Sequence, residues 1–484
     1  MNKETPIIAA DVIVLGAGLS GLAAADGVLK HGEKPIVIEK EEIVGGQSAS
    51  IRRNGYIFDF GGHRFLPHVK ETADYVQGLF GDGGLLLRKR KSQIYLNKKF
   101  LMYPPEAMNI LKNLGVLTSL DCAAQGLYAR LRQAILRKQE VSLEDWLVNR
   151  FGRKLYDIYF GPYSAKLWGV EPSHICSEWA PQRVSVSSIG IMMQKLIATG
   201  RKSIKTYADQ FLYPVGGIGR IPENMAKRIA GVGGSVLTGL NVLKVTHQAN
   251  GFLVEAEDVY GRKKIFSAPR LISSIPLPEF IRILSPTPPK EILEAAGQLR
   301  FRSVRFLNLM LDIPEVTKNT WLYIPEDRYI FFRIQEFTRW CPQNAPKGKT
   351  SFALELACEK GDDVWTMSDD ELLHACLRDL KKMGLDLKNK VTGHFSTYAE
   401  HAYPFYAIGY RRHLHKIYRF METLEDVVLC GRQGMFRYIN MDRAIEIGFE
   451  ATAALYDAQK RSRFLKDKEG KEYLEGNLCL TKKR

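Results

Sequence analysis

The segment from Asp11 to Glu39 constrains this chain more than any other. Asp11-Val-Ile-Val-Leu15 is a short apolar run suited to a buried parallel strand. Gly16-Ala-Gly18-Leu-Ser-Gly21 comes next, and then an alanine-rich stretch, Leu22 to Lys30, with helical spacing. Each glycine answers a steric demand: Gly16 the tight turn, Gly18 close approach of a pyrophosphate, Gly21 close packing of helix on strand. The helix N-terminus at Leu19 and Ser20 offers unpaired N–H groups and a partial positive charge to phosphates. Pro35-Ile-Val-Ile-Glu39 is the second strand, with Lys40 at its edge. Glu39 stands about 20 residues beyond the glycines, where a carboxylate accepts the ribose hydroxyls of an adenosine and repels a 2′-phosphate. The pattern is that of an adenine-dinucleotide βαβ unit.

Two glycine turns beyond Glu39 argue for FAD as the dinucleotide. Gly45-Gly46-Gln47-Ser48 comes directly after the second strand, where small residues let the chain pass close to a pyrophosphate and ribityl chain. Phe58-Asp59-Phe60-Gly61-Gly62-His63 is a second glycine-bearing turn, which an NAD dehydrogenase does not need. Far downstream, Val427-Val-Leu-Cys430-Gly431 reads as a buried strand ending in glycine. It leads through Arg432, Tyr438, Asn440, Met441 and Asp442 into a helical stretch, Arg443 to Tyr456, with Asn440 as the expected N-cap. A helix N-terminus here would stabilise negative charge on a reduced flavin.

Composition narrows the class. At 484 residues the chain is too long for one ordinary domain, and no run approaches the ~18 apolar residues that span a bilayer. The start carries no secretory signal, so a cytoplasmic location is expected. Seven cysteines without CxxC pairs read as reduced thiols, and no residues at metal-ligand spacing imply a metal. The net charge of +16 fits anionic or nucleotide-linked small-molecule substrates or peripheral contact with a membrane surface. No nucleic-acid module is recognisable, so a nucleic-acid partner is not expected. Oligomeric state is left unassigned.

The N-terminal GAGLSGLAAA, the Glu39 to Gly46 spacing and the C-terminal GRQGMFRYINMDRA together resemble the FAD-dependent amine oxidase superfamily. That superfamily includes protoporphyrinogen oxidase-like proteins, phytoene desaturases and, more distantly, UDP-galactopyranose mutases. The resemblance implies an α/β fold (α+β overall), with a discontinuous Rossmann-like FAD-binding domain and a substrate domain of helices and sheet. The expected division is 8–70, 205–275 and 400–460 for the FAD domain, 71–204 and 276–399 for the substrate domain, and a basic tail over 461–484. It further implies FAD contacts at Gly16, Gly18, Leu19, Ser20, Gly21, Glu39, Lys40, Gly45, Gly46, Gln47, Gly62, His63, Val245, Gly431, Arg432, Tyr438, Met441 and Asp442.

For the reaction, hydride transfer from an organic substrate to flavin N5 is the leading expectation. A redox-neutral sugar-nucleotide mutase using reduced FAD is the alternative, and a non-catalytic flavin-binding partner protein is a third. The resemblance to the mutases places their histidine turn at His63, their sugar-contacting tryptophan at Trp168 and their diphosphate-gripping arginine at Arg432, the three candidate catalytic residues. Two positions depart from the mutase pattern: Phe436 stands where a tyrosine is usual and Gln47 where an arginine is usual. From the residues themselves, Trp168 either stacks on a substrate ring or packs in the core. Arg183, Arg333 and Arg432 are candidate anion clamps, while Tyr163 and Tyr406 complete the expected substrate side. Cys430 reads as a buried strand cysteine.

Overall fold

A computed structural model describes residues 6–103, 115–136, 138–183 and 210–466. Five parallel strands from three distant stretches of chain form the dinucleotide-binding sheet, in the order Ser235–Leu237, Pro35–Ile38, Val12–Leu15, Arg270–Ser273, Val427–Leu429. Every residue of Val12–Leu15 and Pro35–Ile38 is buried, because helices cover both faces of a parallel sheet. Helix Leu19–Leu29 begins immediately beyond the glycine turn, and Leu19 to Val28 are all buried. It is packed against helix Met441–Tyr456, so the two ends of the described chain lie side by side. Small residues make that approach feasible: a Cβ on Gly448 would lie 2.4 Å from the Ser20 carbonyl oxygen, and one on Gly27 would lie 2.7 Å from Thr452 Oγ1.

A second five-stranded sheet, Ile7–Ala9, Lys263–Ala268, Gly251–Asp258, Leu240–Gln248 and Leu284–Ser285, flanks the first. The substrate side is a seven-stranded sheet in the order Val391–Pro404, Phe301–Leu311, Thr350–Cys358, Arg333–Glu336, Trp321–Tyr323, Ser92–Leu96, Lys99–Tyr103. Helices Val116–Leu136, Leu143–Phe151 and Gly161–Trp168 accompany it.

Several expected boundaries shift. Leu284–Ser285, beyond the division expected at 276, pairs with Val245 and Thr246 in the flanking sheet. The division expected at 400 cuts through strand Val391–Pro404, which pairs with Phe301–Leu311 along its length. The start of the tail is also ordered: Ala458–Lys466 is a helix, and 467–484 lie outside the described residues. Residues 205–209 likewise lie outside them.

Candidate active site

Backbone shape makes the cradle. Gly16 adopts φ +94°, and a Cβ there would lie 2.5 Å from Ser274 Oγ; a Cβ on Gly21 would lie 2.0 Å from the Gly16 carbonyl oxygen. These two positions are closed to any side chain. Gly18 differs, since a Cβ on it would meet nothing within 4 Å. Gly18 caps helix Leu19–Leu29 with no side-chain hydrogen bond and no acid in the first turn, so the N–H groups there face open space. The Gly45–Gly46 turn crosses directly over: Gly45 N–H donates to the Ala17 carbonyl at 2.8 Å, and Gly18 and Gly45 form a parallel bridge.

Glu39 is 7% exposed and closes the edge of this cradle. Its carboxylate accepts from Ala17 N at 2.7 Å and from Glu41 N at 3.0 Å. Burial pushes its carboxyl upward, and those two backbone donors oppose the shift. A carboxylate offers about four acceptor positions, so roughly two are left for ribose hydroxyls. Lys40 points to solvent beside Glu41 at 3.9 Å. Val245 is fully buried in the flanking strand next to this edge.

The C-terminal turn closes the other side. Gly431 has φ +79°, with its Cβ position 3.0 Å from Ser20. Ser20 Oγ in turn donates to the Ala444 carbonyl at 2.8 Å, tying the two helix starts together. Asn440 is the N-cap of Met441–Tyr456 in extended conformation, as expected, but its side chain makes no capping bond. Met441 and Asp442 are buried in the first turn, where Asp442 Oδ2 lies 3.7 Å from His68 Nε2. Both helices that start at this cleft therefore lack side-chain caps.

Arg432 is held inside this turn. Its guanidinium donates to Ile439 O at 3.0 and 2.5 Å, to Gln47 Oε1 at 2.9 Å and to Ala402 O at 3.3 Å. It also lies 4.7 Å above the Tyr438 ring. Gln47 bridges onward, donating to His401 O at 2.6 Å. Tyr406 serves the same turn: its hydroxyl accepts from Tyr438 N at 2.8 Å, and its ring stacks on Tyr410 at 4.5 Å. Tyr406 thus positions the turn from behind, 2% exposed.

On the substrate side the expected residues converge on Tyr403. Trp168 and Tyr438 both lie 6.1 Å from its ring, and the Arg333 guanidinium reaches its hydroxyl at 3.4 Å. Trp168 is 1% exposed and also packs on Trp179 and Phe405, which favours its core reading. Its indole N–H nevertheless has no hydrogen-bond partner. Tyr163 packs against Tyr323 and Phe332 beside Arg333. Arg183 ends helix Trp179–Arg183, with its side chain outside the described residues.

Glu355 was not anticipated. It takes Arg333 in a bidentate pair at 2.8 and 2.6 Å and accepts from Gln335 as well. Burial works against the Arg333 charge, yet Glu355 beside it holds the guanidinium protonated well above its ordinary range. The Gly61–Gly62 turn rests on this group: a Cβ on Gly61 would lie 3.0 Å from Glu355 Oε1, and one on Gly62 would lie 3.4 Å from the Trp340 ring. His63 continues that turn half-buried, its N–H donating to Gly61 O at 2.9 Å. Cross-strand register, which a linear pattern does not contain, brings Glu355 opposite Arg333.

Comparison with known proteins identifies the arrangement. The family model described as flavin containing amine oxidoreductase matches residues 19–455. The chain belongs to that family. It is similar to coproporphyrinogen III oxidase of Bacillus subtilis, 20% identical over 84% of this chain and 89% of that protein. In fold it is similar to a reduced UDP-galactopyranose mutase, with a TM-score of 0.79 and 22% identity over 95% of this chain and 96% of that one. A putative protoporphyrinogen oxidase from Exiguobacterium is similar at TM-score 0.70 and 16% identity, covering 95% and 100%. This flavoenzyme is an FAD-dependent oxidoreductase by family, and FAD is its cofactor.

The residues fit that cofactor. Open space at the Gly18 Cβ position, two helix starts without side-chain caps and the Glu39 carboxylate beside Ala17 are the features an adenine dinucleotide would use. Cys430 is fully buried, and burial pushes its thiol up to about 12, so it is a packing residue. Among the described residues Glu279, Glu400 and His401 bring ligand atoms within 4.8 Å of one another. Glu400 is already paired with Lys360 at 2.9 Å, and Glu279 Oε1 lies 3.2 Å from His401 Nε2.

Proposed function

We propose that this enzyme oxidises an organic substrate that carries no diphosphate, delivering two electrons to bound FAD. One observation carries the reading: Arg333 and Arg432, the two described guanidiniums expected to grip an anion, are both engaged within the protein. Arg333 with Glu355 is a buried neutral pair, and breaking such a pair costs about 3–5 kcal/mol. Glu355 takes the Nε and Nη2 edge of the guanidinium and neutralises its charge, so a diphosphate would gain little from it.

FAD, when bound, supplies the electron acceptor. The protein's part is placement and electrostatics. Gly18, Leu19 and Ser20 offer backbone donors to the pyrophosphate, and Glu39 offers its remaining acceptors to the adenosine ribose. The start of Met441–Tyr456 aims a second set of donors at the cleft, favouring negative charge there. Tyr163 and Tyr403 give the substrate side an aromatic wall, with Trp168 packed behind Tyr403. Gly62 and His63 form the floor beneath.

The sugar-nucleotide mutase is the competing reading, favoured by the aligned Trp168, Tyr403 and Tyr438 rings beside Arg333. The test mixes oxidised holoenzyme anaerobically with coproporphyrinogen III and, separately, with a panel of amines. Loss of the visible flavin absorbance with one donor supports oxidation. The chemically reduced enzyme is also given UDP-galactopyranose. Its conversion to the furanose only with reduced flavin would sink the proposal.

A further inference from the structure

Helix Val116–Leu136 is built inside out. Its small residues face the protein: Ser119 and Ala129 are buried, Cys122 is half-buried, and a Cβ on Gly126 would lie 3.2 Å from the Phe151 carbonyl oxygen. Its large apolar residues face away, with Leu117 84%, Leu120 59%, Leu127 54%, Tyr128 67%, Leu131 55% and Ile135 78% exposed. At about 100° per residue these six fall within an arc roughly 100° wide. That is broader than the narrow seam of a two-helix coiled coil. Among the described residues no helix is long and apolar enough to cross a membrane, so this face is suited to lie along a surface.

Charge selects the surface. Asp121 is the only acid in the helix, and Lys154 Nζ stands 3.9 Å from it. Arg132 and Lys138 are exposed at the rim. The hairpin Ser92–Leu96 and Lys99–Tyr103 packs on Ile158 and Tyr159, just beyond the Arg153–Leu155 turn on which the helix rests. Its tip carries exposed Lys98 and Lys99, and Phe100 and Met102 beside them are 38% and 43% exposed. Apolar side chains rimmed by cations match a bilayer with anionic headgroups. A second copy of the chain fits less well, since two bodies of net charge +16 repel.

We propose that helix Val116–Leu136, with the Lys98–Met102 hairpin edge, seats the enzyme on an anionic lipid surface, its apolar face in the headgroup layer. The occupant is the bilayer itself. Full-length holoenzyme is floated with vesicles of phosphatidylcholine alone and of phosphatidylcholine containing phosphatidylglycerol, at low and high salt. Flotation is expected with the anionic vesicles, weakened by salt. The triple variant Leu120→Asp, Leu127→Asp, Leu131→Asp should lose at least about tenfold in partitioning, with flavin content and unfolding midpoint unchanged. Because these side chains are exposed, folding is not at stake; a second variant, Tyr128→Trp, reports insertion by a blue-shifted emission on vesicles. Absence of flotation by the wild type overturns the proposal. So does a doubled solution mass, seen by light scattering, that the triple variant returns to a monomer.

Discussion

Asp59 sits 2% exposed at the end of strand Tyr56–Asp59 and accepts from Ser50 Oγ at 2.6 Å, Tyr213 Oη at 2.6 Å and Ile218 N at 3.2 Å. Asn344 donates to the same Tyr213 hydroxyl at 2.9 Å, so one carboxylate joins three stretches of chain below the Gly61–Gly62 turn. Burial pushes Asp59 from 3.8 up to about 6 against these hydrogen bonds. A carboxyl raised on folding binds its proton more tightly in the folded state. Its contribution is therefore present at low pH and lost as pH rises through the window from 3.8 to about 6. Asp59→Asn keeps the shape but does not titrate. The stability difference between wild type and variant, followed by urea unfolding, is expected to fall by up to about 3 kcal/mol from pH 4 to 7; a difference flat in pH would refute the assignment. In the sequence Asp59 is only one letter of a glycine-bearing turn. The place of Glu39 at the end of its strand depends on local spacing, whereas Asp59 and Glu355 gain their partners from residues 159 and 22 positions away. Arg432 was legible in position but not in engagement: its acceptors, the Ile439 and Ala402 carbonyls, are backbone groups that no side-chain pattern marks.

Elements carry their message in periodicity, and here reading and structure agree closely. The Arg443–Tyr456 helix expected from spacing is observed as Met441–Tyr456, starting directly after the N-cap position Asn440. Strand Arg333–Glu336 begins where Lys166 anchors the preceding loop. Its ammonium donates to Ile324 O at 3.1 Å, Glu326 O at 2.8 Å and Phe331 O at 2.7 Å. Which helices touch is not periodic information. The contact of Leu19–Leu29 with Met441–Tyr456 rests on Gly448, whose Cβ position is also 2.6 Å from Ala23 Cβ, and on Thr452 Oγ1 donating to Ala24 O at 2.8 Å. Gly448→Val must push the helices apart, costing about 1–3 kcal/mol or more, and it shifts the Ser20 turn proposed to bind the pyrophosphate. The expected outcome is a lower unfolding midpoint together with lower flavin occupancy on purification. Gly297→Ala is the control, since nothing lies within 4 Å of that Cβ position; equal loss in both variants would contradict the packing argument.

At the scale of the molecule, one site is assembled from chain ends that are far apart in sequence. Ser20 and Ala444, 424 residues apart, are joined by one hydrogen bond at the place where both helices begin. Val427–Leu429 completes the sheet as its edge strand, against Arg270–Ser273 alone. The two helix starts carry no side-chain cap, and their backbone donors would be available to the pyrophosphate and flavin of bound FAD. FAD should therefore stabilise the folded chain by mass action, by about 4 kcal/mol at a thousandfold excess over its dissociation constant. Removing it should lower the thermal midpoint, and adding it back should restore the loss. The location of the effect is the sharper test. Hydrogen exchange after deflavination is expected to quicken together in 12–29 and 427–456, because each helix start holds the other through Ser20 and the cofactor. The seven-stranded sheet, whose buried strand Phe301–Leu311 is paired on both sides, should keep its protection. Faster exchange confined to 12–39 would mean that the C-terminal helix is docked by packing alone, with Gly448 and Thr452 sufficient to hold it.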